Sequence, residues 1–135
     1  IDYHQLQGTR DFSAFLTVPK ALEFRQNFDW ARVSAEAKKV SQNNYTRFAE
    51  AANGMMMCPI SDDFLGQMCS LRIKCPDFAQ LGALLYSKYK IEIPVFPHGE
   101  HVYIRYSFQG YNTQVELNHL FQSLDEIRST TILLG

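Results

Sequence analysis

Between His101 and Phe108 apolar and polar residues alternate one for one, and no other stretch constrains the fold so tightly. In an extended strand Val102, Ile104 and Tyr106 share one face and Tyr103, Arg105 and Ser107 the other. A strand of this kind needs cover on its apolar face only, which predicts an antiparallel sheet with helices on one side. Just upstream, Ile91, Ile93 and Val95 predict a short strand stopped by Pro94 and Pro97, as expected near a sheet edge. Pro97-His98-Gly99-Glu100 supplies the turn that folds it back as a hairpin.

Downstream, Thr113 followed three residues later by Glu116 is a capping box, and Leu117, Leu120, Phe121, Leu124 and Ile127 form the apolar stripe of the helix it opens. Cys69, Leu71 and Ile73 alternate with Ser70 and Arg72 and predict a strand over 67–73. Cys75-Pro76-Asp77 then opens a helix through Leu81, Leu84, Leu85 and Tyr89, with Pro76 near its first position. Nearer the start, Ser13 is a candidate cap for a helix running to about Phe28. Pro19 requires either a kink there or a helix that begins near Val18. Asp29 is the expected cap of a second helix from Trp30, ended by Asn53-Gly54. Met55, Met56, Met57, Cys58 and Pro59 read as a short strand or a packed loop. The predicted order is helix, helix, strand, helix, strand, strand, helix, an α/β chain of the two-layer α+β kind.

At 135 residues the chain is the size of one domain, and 46% apolar content supplies a core. A net charge of -1 gives no basic field, so nucleic acid is not an expected partner. No apolar run is long enough to span a bilayer. Cys58, Cys69 and Cys75 contain no C-x-x-C pair and cannot all be joined internally, which points to a reducing, cytoplasmic setting. The opening Ile1-Asp2-Tyr3-His4 has neither an initiator methionine nor a leader, as expected of a chain cut from something longer.

Arg105 is the first candidate for chemistry. Its guanidinium fork suits a carboxylate, and the alternative is an exposed strand arginine. Gly8-Thr9-Arg10-Asp11 is the second. Glycine allows close approach of the backbone and Thr9 offers a hydroxyl and an amide to a phosphate, the alternative being a plain turn with Asp11 or Ser13 capping the next helix. His98 and His101 lie across a turn without the further ligands that a metal needs, and His4 is expected to face other parts of a longer protein. Asp62-Asp63 reads as acidic surface, and Cys69 as core. No nucleophile elbow and no glycine-rich phosphate loop is present.

Five segments taken together resemble the C-terminal part of class V aminotransferase-fold proteins. They are Gln7-Gly8-Thr9-Arg10-Asp11, the run from Phe15 to Phe24, the run from Tyr89 to Val95, Ile104-Arg105-Tyr106-Ser107, and Tyr111-Asn112-Thr113. The likeness is strongest to the isopenicillin N epimerase-like branch, which is related to cysteine desulfurases and lyases. It implies a fold-type I enzyme that uses pyridoxal 5'-phosphate, works as a homodimer and acts on a small amino acid. Residues 1–12 would then be a stub of a preceding large domain and 13–135 the C-terminal small domain. Arg105 resembles the arginine that clamps the substrate carboxylate. Gly8 and Thr9 resemble the pair that reaches the phosphate of the partner subunit's cofactor, while Tyr111-Asn112 shape a turn. The cofactor lysine of the family has no counterpart here: Lys20, Lys38, Lys39, Lys74, Lys88 and Lys90 all stand in other contexts. The chain alone is therefore expected to be inactive and to bind no cofactor. Its parent is expected to be an epimerase or lyase, with a cysteine desulfurase or desulfhydrase as one alternative and a non-catalytic binding or dimerisation module as another.

Overall fold

A computed structural model of the chain describes residues 11–130, 132 and 133. It divides into two compact units, one ending at Arg32 and one beginning at Val33.

In the first unit, α1 (Ser13–Leu16) and α2 (Val18–Asn27) replace the single helix expected from Ser13 to Phe28. Pro19 sits in the first turn of α2, where its missing N–H costs no hydrogen bond. Ser13 does not cap α1. It lies inside the first turn, and its own N–H and hydroxyl donate to the Asp11 carboxylate at 2.8 and 2.7 Å. Leu16, Val18, Leu22, Phe24 and Phe28 are each at least half exposed.

Helix α3 (Trp30–Ala52) starts where expected, and Asp29 before it has a positive φ and pairs with Arg32 Nε at 3.2 Å. Asn53 ends α3 in the left-handed region at φ 46°, with its N–H and that of Gly54 returned to Glu50 and Ala49 carbonyls. The chain then forms β1 (Met55–Met56), β2 (Met68–Ile73), α4 (Phe78–Ser87), β3 (Val95–His98), β4 (His101–Ser107) and α5 (Gln114–Arg128).

The four strands make one antiparallel sheet in the order β1-β2-β4-β3. Cys69, Leu71, Ile73, Ile104 and Tyr106 are buried on its inner face, where Leu81 and Leu85 of α4 and the buried residues of α3 and α5 join them in a single core. Phe48 of α3 meets Tyr106 edge-on at 4.8 Å and also contacts Phe121 of α5. The two-layer arrangement expected from the alternation is the one observed.

Two corrections concern prolines. Pro76 is not the first residue of α4; Asp77 caps the helix, accepting from the Gln80 N–H at 2.9 Å, and Pro76 precedes the cap. Ile91 and Ile93 lie before β3 rather than in it, and Pro97 lies inside it. The Arg105 N–H donates to the Pro94 carbonyl at 3.1 Å, but Pro94 has no N–H to return, so regular pairing starts only at Val95. Bonded and non-bonded pairs alternate along an antiparallel ladder, which places the Pro97 nitrogen on the outer edge where it needs no partner.

One buried hydroxyl decides where β1 stops. Tyr45 of α3 is fully buried; its hydroxyl accepts from the Met57 N–H at 2.8 Å and donates to the Ser70 carbonyl. Met56 pairs with Leu71, so the next rung of the ladder would join Met57 to Ser70 directly. The hydroxyl occupies that rung.

Candidate functional site

The face of the sheet turned away from the core is built by strand register. Met55, Arg72, Tyr103 and Phe96 lie side by side across all four strands; Ser70 and Arg105 form the next row, and His101 and His98 another. The strand residues of this face include two arginines and two histidines and no carboxylate. Phe96 stacks on Tyr103 with ring centroids 5.9 Å apart, and His98 meets the same ring at its edge.

Arg105 stands on the face assigned to it by the alternation. Its guanidinium carbon is 5.9 Å from the centre of the Phe96 ring. Its Nε is buried without a hydrogen-bond partner, and among the described residues no carboxylate pairs with it. An unsatisfied cationic donor in a half-buried setting is costly for the folded chain, and an anion would relieve that cost. Arg105 also lines a groove of about 570 Å³ between the 90–94 segment and the start of α5, with Lys90, Glu92, Asn112, Glu116 and His119 among its walls. The floor is fixed by local hydrogen bonds. The Thr113–Glu116 capping box is complete, Asn112 Oδ1 accepts from the Gln109 N–H at 3.0 Å, and His119 Nε2 is 2.8 Å from the Tyr89 carbonyl.

Gly8, Thr9 and His4 lie outside the described residues. Four lysines are engaged at the surface: Lys20 with Glu23, Lys38 with Asp62, Lys88 with Tyr89 and Glu126, and Lys90 with the Ser87 carbonyl. Asp62 accepts from Gln42 and pairs with Lys38, and these contacts hold its carboxyl below the usual carboxylate range. No helix among the described residues is long and apolar enough to cross a membrane, and no three of their His, Cys, Asp or Glu side chains converge as a metal site.

All three cysteines are free thiols. Cys69 is fully buried beneath the sheet, donates to the Ser41 carbonyl at 3.6 Å, and burial pushes its thiol up to about 11. A nucleophile needs the thiolate, so this position suits packing. The Tyr106 hydroxyl donates to the same carbonyl at 3.3 Å, and burial raises its pKa as well. The sequence left unmarked the row formed by Met55, Arg72, Tyr103 and Phe96. Arg72 was visible on the polar side of its strand, but which residues stand beside it depends on register.

No family model matches the chain. It is 26% identical over 124 residues to an isopenicillin N epimerase of Amycolatopsis lactamdurans, covering 91% of this chain and 31% of that protein. It is 23% identical over the same length to an isopenicillin N epimerase of Streptomyces clavuligerus, with the same coverage. To a probable L-cysteine desulfhydrase, chloroplastic, of Arabidopsis thaliana it is 29% identical over 140 residues, covering 87% of this chain and 28% of that protein. The chain thus spans about a third of the length of the curated relatives it matches, and the similarity is remote.

Proposed function

We propose that this chain is the C-terminal small domain of a fold-type I enzyme that uses pyridoxal phosphate and acts on an amino acid as an epimerase or lyase. In this reading residues 1–12 are a stub of the large domain, and residues 13–135 carry the substrate-binding arginine. The observation that carries the proposal is Arg105: its Nε is buried and has no partner, on a sheet face whose strands hold no carboxylate. Remote similarity to two isopenicillin N epimerases over most of the chain supports the reaction class.

The described residues fit the substrate better than the cofactor. Arg105 offers paired donors to an α-carboxylate, but no described lysine or anion cradle is placed to hold a pyridine aldehyde phosphate. Gly8 and Thr9 would contribute contacts to the phosphate of a partner subunit's cofactor in a homodimer. When bound, the cofactor supplies the electron sink for breaking a bond at the α-carbon. Arg105 holds the carboxylate so that one α-substituent is presented to groups of the large domain, and burial of its Nε strengthens that hold by excluding water there. In this reading the base for the proton belongs to the large domain, and the chain alone is expected to be inactive. The similarity to a probable L-cysteine desulfhydrase favours a second reading, elimination from cysteine.

The test uses the full-length protein that contains this chain. Pyridoxal phosphate followed by borohydride should leave a reduced lysine adduct in the full-length protein and none in the 135-residue chain. Arg105→Gln in the full-length protein should raise the KM for the amino acid by about 10–100-fold, the loss of a charge-assisted pair, with the cofactor absorbance unchanged. A full-length protein that takes up no cofactor, or kinetics untouched by Arg105→Gln, would overturn the proposal.

A further inference from the structure

We infer a second anion-binding site on the outer face of the sheet, built around Arg72 and His101 and suited to a carboxylate or phosphate group. The two side chains come from neighbouring strands, and Arg72 Nη1 is 3.3 Å from His101 Nε2. Arg72 Nη2 donates to the Met55 sulfur at 3.7 Å. A thioether sulfur is a weak acceptor and a neutral imidazole nitrogen carries no charge, so neither contact neutralises the guanidinium. Among the described residues no acid pairs with it.

These groups line a pocket of about 260 Å³, whose walls among the described residues also include Asn53, Ile73 and Lys74. Among the described residues Arg72, Lys74 and His101 line it and no carboxylate does; Glu100, next to His101 in the hairpin turn, is not part of that lining. The pocket is preorganised from below. Asn53 is fixed at φ 46° by the end of α3, and Gly54 leaves no room for a side chain against Leu71 and Ile73. The β1–β2 pairing then sets Met55 opposite Arg72. Arg72 is partly buried and its guanidinium is held between the methionine and the imidazole, so its fork is already oriented when an anion arrives. This site does not depend on the role proposed for Arg105, which lies in the next row of the sheet and lines a different groove.

The experiment is an NMR titration of the 135-residue chain at low ionic strength with sodium phosphate, sodium acetate and, as control, sodium chloride. The Arg72 Nε–H and His101 ring signals should shift saturably with phosphate, acetate or both, and much less with chloride. Saturation by phosphate alone identifies a phosphate site and by acetate alone a carboxylate site; either supports the inference. Arg72→Met should weaken binding by about tenfold or more. Arg72→Lys, which keeps the charge but not the fork, should weaken it less, and Arg105→Gln should leave it unchanged. If Arg72→Met fails to fold, the lysine variant and His101→Gln carry the test. Shifts that follow chloride equally, or His101 ring shifts that saturate in Arg72→Met as tightly as in the unaltered chain, overturn the inference, and loss of binding in Arg105→Gln alone reassigns the anion to that arginine.

Discussion

Replacing Tyr45 with phenylalanine removes one oxygen from the core and tests whether that oxygen ties β1 to the rest of the sheet. The hydroxyl serves two backbone groups, the Met57 N–H and the Ser70 carbonyl, and Tyr45 itself is fully buried. Each hydrogen bond contributes on the order of 1 kcal/mol net, and because Met57 is 49% exposed its freed N–H adds at most about 1 kcal/mol more. The expected loss is about 2–3 kcal/mol, a fall of roughly 1–2 M in the midpoint of urea unfolding for a domain of this size. Hydrogen exchange at the Met57 amide should accelerate at the same time, because its protection comes from the hydroxyl. A loss below about 0.5 kcal/mol with Met57 exchange unchanged would refute the bridged rung, since the ladder would then be closing without the oxygen.

Three further outcomes follow from the same contacts. Burial raises the pKa of Cys69 from 9.0 to about 11 and raises those of Tyr45 and Tyr106, so their protonated forms contribute stability that is fully present below about pH 9 and is lost as pH climbs through 11 and beyond. Urea midpoints measured across that range should fall, and Cys69→Ala should flatten the first part of the decline. Thr113→Ala breaks the capping box of α5 and should cost about 1 kcal/mol in the same assay. Gly54→Val puts a Cβ 3.0 Å from that of Leu71 and 3.1 Å from a methyl of Ile73, and should cost about 1–3 kcal/mol, with shifted NMR signals for both residues.

The parts of the fold legible in the sequence were those written in short periods. The alternation at 101–108 gave β4 with its two faces, Thr113 and Glu116 gave the start of α5, and Asn53-Gly54 gave the end of α3. Prolines misled because their effect depends on surroundings absent from a local pattern. Pro97 is harmless in β3 only because that strand is at the edge, and Pro76 yields the cap to Asp77 because the aspartate reaches the Gln80 N–H. Arg105 was found because a cation in a half-buried strand has few ordinary uses. Its missing partner could not be read from sequence, nor could the nearness of Phe96, since both depend on how β3 registers against β4. The same limit hid Arg72 and His101, 29 residues apart and brought together only by the pairing of β2 with β4.

The two borders of the sheet share a consequence for crowding. β1 is only two residues long, because the Tyr45 hydroxyl takes the place of its next rung with β2, and β3 turns a proline outward in the middle of its four. A second polypeptide trying to add itself as a fifth strand meets on either side too short a run of free amides and carbonyls to hold it. Short edges and an outward proline thus disfavour lengthwise growth of the sheet, although its strands carry little charge at their rims.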